Sequence, residues 1–217
     1  MAETTQTLWN LAFKLQLDWP SSDARSELSS LVTKVESLPD SDCEKRLLRG
    51  FLAYNFSAHA TASVDIESDF KSVLTTDPTN TTARLYLGHF YFDSRKYQLA
   101  IEQLERIDIQ EYLSAGQTWR ALKIRELIIA SRIHCDQLHE SVRCLEQLVL
   151  DLMQEHPENI AVPVELVSSL YEQRSTLCSV LGGERATNIA NDLRMIVDRT
   201  ASSDVLTKEI HGIAGGI

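Results

Sequence analysis

Apolar residues recur at helical spacing along most of this chain, from Leu8 to Ile196. The clearest instance begins near Thr81, where they fall at i, i+4, i+7 and i+8 on one face of a helix. These residues are Ala83, Leu87, Phe90 and Tyr91. The polar pair Asp93-Ser94 interrupts the stripe, and a second stripe follows with Tyr97, Ala100, Ile101, Leu104 and Ile107. Two amphipathic helices separated by a few polar residues predict an antiparallel hairpin.

The N-terminal part of the chain shows the same period. One helix is predicted from Thr4 to Leu17 and a second from about Ser22 to Leu38, before Pro39. Ser41 and Glu44 form a capping-box pattern that opens the next helix. A further apolar stripe then runs from Ile66 to Leu74.

The C-terminal part predicts longer helices. One spans Gln117 to Cys135, and the cleanest stripe in the chain runs from Leu138 to Leu152. A single helix is expected from Val164 to Leu181, ended by Gly182-Gly183, and a last one extends past Ile196.

This pattern gives about ten helices and no strands, so the predicted fold class is all-α. Short connections favour antiparallel neighbours, stacked as an α–α superhelix or short α-solenoid. We expect one domain over 1–217, with an N-terminal helical pair in 1–40 and repeat-like hairpins in 41–113. Longer hairpins are expected in 114–200 and a frayed tail in 201–217.

The hairpin that begins at Thr81 resembles a tetratricopeptide repeat, because Leu87-Gly88, Tyr91 and Ala100 fit its L-G-x-x-Y and later A positions. Pro78 stands where such repeats place the proline that closes the preceding unit. Arg84 replaces the frequent Trp, and Tyr112 stands where the closing Pro would be. The stretch 43–76 fits less well, with Tyr54 in place of the glycine.

Charge and composition exclude several classes of function. The chain carries 31 acidic and 21 basic residues, a net charge of −10, with no basic patch for nucleic acid. No apolar run has the ~20 residues of a membrane span, and the N-terminus lacks a signal-peptide pattern. We therefore expect no membrane association and a cytoplasmic location. The four cysteines, scattered without C-x-x-C spacing, are expected to be reduced.

Candidate chemistry is sparse. The one dense group of metal-ligand types is His134, Cys135, His139 and Cys144, whose helical spacing does not converge on a point. No phosphate loop, nucleophile elbow or zinc-protease motif is present. We therefore expect no metal, no cofactor, no catalytic residues and no enzymatic activity.

The candidate partner-binding residues are Leu85, His89, Phe92 and Asp93. Leu85 and Phe92 are seven apart on the helix and lie outside its buried stripe, with His89 between them. The resemblance implies that these positions line a concave face, although packing against a neighbouring hairpin is the alternative for Leu85. Leu85 and His89 stand where chaperone-binding repeats carry Lys and Asn, so the resemblance does not imply that role.

The predicted function is a non-enzymatic protein–protein interaction module, a tetratricopeptide-like adaptor or scaffold. Its partner would be another protein or peptide, possibly basic, and the sequence leaves the oligomeric state open. A small acidic inhibitor or immunity-type protein that neutralises a basic toxin or nuclease is the alternative. A helical-fold enzyme is the third class.

Overall fold

The computed structural model describes residues 5–18, 22–39, 42–56, 64–157 and 160–200. These ranges contain twelve α-helices and no strand, which confirms the all-α fold class. The helices are α1 (Thr5–Asp18), α2 (Ser22–Glu36), α3 (Cys43–Asn55), α4 (Ile66–Thr76), α5 (Thr81–Asp93), α6 (Tyr97–Leu104), α7 (Ile109–Ser114), α8 (Thr118–His134), α9 (Leu138–Gln154), α10 (Val164–Glu172), α11 (Arg174–Leu181) and α12 (Gly183–Thr200). The predicted tail at 201–217 lies outside the described residues.

The chain divides into two compact units, 1–90 and 91–217, so the boundary falls inside α5. In the first unit, consecutive helices pack as pairs: α1 on α2, α2 on α3 and α3 on α4. In the second unit, α8 is central and packs on α6, α7, α9 and α10, while α12 packs on α9 and α11. Within each unit, neighbouring helices pack on one another. The single domain expected from the sequence stays a prediction.

In the first unit, α3 contacts α4 through a glycine and the end of α2 through a buried lysine. A Cβ at Gly50 would lie 2.9 Å from Phe70 Cε1, so the glycine lets α4 approach α3 closely. The close-contact glycine of this helix pair is therefore Gly50. Lys45 is buried and donates to the carbonyls of Glu36 (2.8 Å) and Leu38 (3.0 Å), which satisfies groups left free at the end of α2.

The start of α3 differs from the capping-box prediction. Asp42 is the N-cap residue, and its carboxylate accepts the Glu44 backbone N–H at 2.9 Å. Ser41, the predicted cap, lies outside the described residues. An aspartate satisfies the first free backbone donors of a helix as well as a serine does, so either residue type suits the cap.

In the second unit the helix boundaries depart from the sequence pattern at two places. The short helix α7 was not predicted, and it buries only Tyr112. The predicted helix from Val164 to Leu181 is two helices, because the backbone leaves helical geometry at Gln173. The periodicity does not register that break, since apolar residues on both sides of Gln173 face the same core.

Three connections in the second unit share one geometry. Each has three residues between the end of one helix and the start of the next: 94–96, 115–117 and 135–137. Each contains a residue with a positive φ, which is Arg95 (58°), Gly116 (69°) or Asp136 (59°). In each, the N–H of the next residue reaches back to the carbonyl five positions earlier, as Lys96 does to Tyr91 at 2.8 Å. This is the Schellman closure of a helix C-terminus, and it starts the next helix at once.

Among the helices that the structure describes, none combines the length and the apolar character that crossing a bilayer requires.

Candidate functional site

The ends of four helices in the second unit enclose a cavity of about 210 Å³. Phe92 and Asp93 end α5, Arg95 lies in the connection, and Tyr97 opens α6. His134 is the last residue of α8, and α10 provides the opposite wall with Val164, Glu165, Ser168, Ser169 and Glu172. The Schellman closure at Arg95 reverses the chain within three residues, which brings Phe92 and Tyr97 to the same opening.

Aromatic rings form one wall of this cavity. The rings of Phe92 and Tyr97 meet edge to face at 5.4 Å between centroids, and the His134 imidazole stacks on Tyr97 at 4.2 Å. Burial is the main cause that raises the pKa of the Tyr97 hydroxyl, so this phenol is neutral at pH 7. The wall therefore presents ring faces and edges without a formal charge.

His134 and Ser169 are joined by a hydrogen bond, with Ser169 Oγ 3.1 Å from His134 Nε2. The Ser169 hydroxyl also lies 2.7 Å from the carbonyl of Glu165, to which it donates. With the hydroxyl hydrogen directed to that carbonyl, the tautomer protonated on Nε2 donates to Ser169 Oγ. Burial lowers the pKa of His134, so the ring is neutral at pH 7.

In a serine–histidine mechanism the imidazole accepts the hydroxyl proton, whereas here the Ser169 hydroxyl donates to the Glu165 carbonyl. Ser169 is also only 1% exposed, so its oxygen is closed to a substrate. The pair fixes the ring that lines the cavity.

Glu165, one of the lining residues, belongs to an ion-pair network. Lys123 Nζ lies 2.7 Å from a carboxylate oxygen of Glu126 and 2.7 Å from one of Glu165. Glu126 also accepts the Leu166 backbone N–H at 3.1 Å, at the start of α10. These bonds tie α8 to α10 and fix Glu165, the member of the network that lines the cavity.

The network places one proton and one negative charge on its two carboxyl groups. Burial, with a contribution from Glu165, raises the pKa of Glu126 to about 8, so this acid is protonated at pH 7. Burial acts in the same direction on Glu165, but Lys123 and hydrogen bonds outweigh it and lower its pKa to about 2. The Glu165 carboxylate therefore stays ionised beside the cavity.

Charged side chains of both signs stand at the opening. Asp93 and Glu172 are exposed acids, and Glu172 lies 3.9 Å from His134 Nε2. The Arg95 side chain is exposed and forms no hydrogen bond or ion pair with the described residues. The cavity is thus lined by three acids, Asp93, Glu165 and Glu172, and by one arginine, Arg95.

The four residues predicted from the sequence do not share one site in the structure. Phe92 and Asp93 line the cavity of the second unit. Leu85 and His89 belong to the first unit, where Leu85 is only 5% exposed and His89 is half-buried beside the rings of Tyr54 and Tyr86. The binding role of all four stays a prediction.

Sequence reasoning missed most of the cavity. The sequence pattern indicates His134 only as a candidate metal ligand and Tyr97 only as part of a buried stripe. Glu165, Ser169 and Glu172 lie more than 60 positions beyond Phe92 in the sequence, a spacing that no helical period connects. The one available signal was the tight connection at Asp93-Ser94, which brings Phe92 and Tyr97 together.

The group His134, Cys135, His139 and Cys144 is spread over the end of α8 and the first half of α9. Within the described residues, no group of three or more His, Cys, Asp or Glu side chains is placed to hold a metal ion.

Comparison with known proteins gives no relative: no family model, no curated protein and no solved structure matches this chain.

Proposed function

We propose that this protein is a non-enzymatic interaction module whose second unit binds a basic side chain of a partner protein. The observation that carries this proposal is the cavity between α5, α6, α8 and α10, which combines aromatic rings with ionised acids. Its volume of about 210 Å³ suits a single lysine or arginine side chain rather than a whole small-molecule ligand, whose pockets run to roughly 300–1,000 Å³.

The walls supply both interactions that a cation needs. The Phe92 and Tyr97 rings line the cavity, with His134 covering one face of Tyr97, and a cation near an uncovered aromatic face gains about 0.5–2 kcal/mol. Glu165, which is paired with Lys123, supplies one carboxylate of the lining, and Glu172 supplies another at the opening. A basic side chain could thus insert its aliphatic stem along the rings and place its charge among the carboxylates.

Arg95 opposes this ligand, since it carries the same charge at the rim. Its position at a positive φ is explained by the helix closure and not by the cavity. We expect Arg95 to weaken the binding of any isolated cation and to favour a partner that also carries an acidic residue beside the basic one. The proposed ligand is accordingly a peptide segment in which a lysine or arginine neighbours an Asp or Glu.

The tetratricopeptide-like organisation and the cytoplasmic location expected from the sequence remain part of this proposal. Three features support the repeat-like organisation: the three-residue connection between α5 and α6, the burial of Gly88, and the burial of Ala100. An adaptor built of such hairpins would present helix ends to its partner, as the cavity does.

The proposal can be tested with the side chain alone. We expect Nα-acetyl-arginine methylamide to shift the backbone amide resonances of residues 92–97, 134 and 164–172 in a ¹⁵N-labelled full chain. A fragment of this size should bind with a Kd on the order of millimolar. Nα-acetyl-norleucine methylamide, which has a similar stem and no charge, should bind more weakly.

Variants decide whether the cavity is responsible. Glu172→Gln should weaken the binding of the arginine derivative about three- to tenfold, because the substitution removes an acid at the rim of the cavity. Glu102→Gln is the matched control, since Glu102 is an exposed acid on α6 that does not line the cavity. Equal affinity for the charged and uncharged derivatives, or equal effects of the two variants, would contradict the proposal.

One observation favours a second candidate, the acidic inhibitor. The net charge of −10 is large for 217 residues, and a surface of one sign speeds the encounter with a basic protein. Such a protein would bind a folded basic partner through many dispersed charges rather than through one cavity.

A further inference from the structure

We propose a second interaction site in the same unit, a groove that binds an amphipathic helix of a partner protein carrying acidic residues. The groove has a volume of about 440 Å³ and lies on α8 and α9 beside the end of α6. It is separate from the cavity that is proposed to bind a basic side chain, and no residue lines both.

The floor of the groove is aliphatic. Leu104, Ile107 and Ile129 are nearly or fully buried at its base, and Ile109 and Ile128 are half-buried beside them. Burying apolar surface stabilises a complex. An aliphatic ridge of a partner helix would cover chiefly Ile109 and Ile128, which retain exposed surface.

The rim of the groove is basic, which is unusual for a chain whose net charge is −10. Arg125 pairs with Asp151 and Arg132 with Glu105, so each has part of its charge balanced. Arg143 is exposed and forms no hydrogen bond or ion pair with the described residues. Asp151 and Glu105 thus offset two of the three arginines, and the charge of Arg143 leaves the rim with a net positive charge that favours an acidic ligand.

The spacing of the arginines favours a helix over a single-headed amphiphile. Arg125 and Arg132 are seven apart on α8, so they lie on nearly the same face and about 10.5 Å apart along its axis. Ile128 and Ile129 lie between them, and Arg143 stands on α9. An acid of an amphipathic helix can pair with Arg143, and acids about two turns apart can share Arg125 and Arg132 with Asp151 and Glu105 through the remaining guanidinium N–H groups. A fatty acid has a single carboxylate and can reach only one of these arginines. The aliphatic residues of the helix would cover Ile128 between them.

The full chain provides its own reporter for this site. Cys144 is exposed and lines the groove, whereas Cys178 is exposed on α11 and does not. A bound helix should shield the Cys144 thiol from N-ethylmaleimide and leave Cys178 unchanged. Peptide mapping by mass spectrometry separates the two modification rates.

The experiment uses a fluorescein-labelled helical peptide of about 14 residues, with leucines at i, i+4 and i+7 and glutamates about two turns apart on the flanks. We expect saturable binding by fluorescence anisotropy and slower alkylation of Cys144 than of Cys178. The same peptide with lysines in place of the glutamates should bind at least about tenfold more weakly. Equal binding of the two peptides, or no protection of Cys144, would overturn the proposal.

Substitutions complete the test. Arg143→Glu should weaken the binding of the acidic peptide about tenfold. Arg194→Glu should leave the affinity unchanged, since Arg194 is exposed on α12 and does not line the groove. Circular dichroism establishes that both variants are folded. If dodecanoate protects Cys144 and the acidic peptide does not, the groove takes an amphiphile and a protein helix is not its occupant.

Discussion

At the scale of single residues, the most informative group is the buried acid Glu126. It is 3% exposed and bonded to Lys123 and to the backbone N–H of Leu166, yet its pKa of about 8 leaves it protonated at pH 7. A neutral acid at this position lets Glu165 hold the single negative charge opposite Lys123. The sequence could not reveal this arrangement, because Glu165 is 42 positions from Lys123.

This protonation predicts how stability depends on pH. In the unfolded chain Glu126 has its ordinary pKa of 4.5, so between pH 4.5 and pH 8 the folded chain binds more protons than the unfolded one. The free energy of unfolding therefore falls as pH rises through this range. Glu165 acts oppositely at lower pH: its stabilisation is lost as pH falls from 4.5 towards 2.

Glu126→Gln removes this titration, because glutamine has no proton to lose; its amide oxygen can accept from only one of the two donors, Lys123 and the Leu166 N–H. We expect the variant to lose about 1–4 kcal/mol less stability than the wild type between pH 5 and pH 8. Urea unfolding at the two pH values measures the difference. Glu102→Gln, on the exposed face of α6, should change neither value, and a pH dependence of Glu126→Gln equal to that of the wild type would contradict the assignment.

Leu85 provides a second prediction at this scale. The sequence left open whether this residue packs or binds a partner, and its 5% exposure favours packing. Leu85→Ala should lower the free energy of unfolding by about 2–5 kcal/mol, as for other buried leucines. Unchanged stability in urea unfolding, together with weaker partner binding, would instead support the groove expected from the resemblance.

At the scale of helices, the sequence pattern predicts the bounds of a helix correctly where an apolar stripe is long and ends at a polar pair. It predicted α5 and α8 to within a residue or so, because each has a continuous stripe and a clear stop. It missed α7, whose six residues are too few to show a period. It also missed the break at Gln173, because a tertiary core covers both sides of it.

The Schellman closure at the end of α7 contains Gly116 and allows a prediction about this residue. Gly116 has φ of 69°, and a Cβ added to it would have no neighbouring atom within 4 Å, so replacing it by alanine introduces backbone strain without a steric clash. Gly116→Ala should lower the free energy of unfolding by about 1 kcal/mol. Thermal or urea unfolding measures it.

Gly183 is the matched control. It is also a glycine with open space around it, but it begins α12 and does not have a positive φ. Gly183→Ala should leave stability unchanged or raise it by up to about 1 kcal/mol. Equal losses in the two variants would show that the left-handed conformation at Gly116 is not what costs energy.

At the scale of the whole molecule, the two units differ in what they offer a partner. Both openings used in the proposals lie in 91–217, whereas the sequence resemblance directs attention to both ends of α5. Helical periodicity predicts which residues are buried along each helix. It does not predict which helix ends meet, so the convergence of Phe92, His134 and Glu172 required the fold.

The net charge of −10 allows the last prediction, which separates the interaction module from the acidic inhibitor. At 0.1 M salt the Debye length is about 10 Å, and it shortens further as salt rises, so contacts made by dispersed surface charges weaken steeply. A cation among aromatic rings and the half-buried Glu165 is screened less. In affinity purification from native lysate, a partner that uses the cavity should be retained at about 0.3 M NaCl. The Glu172→Gln variant should retain less of this partner, and Glu102→Gln should retain as much as the wild type. If every captured protein is basic, elutes below that salt concentration and is indifferent to Glu172, the dispersed acidic surface is the interaction site and the inhibitor class is correct.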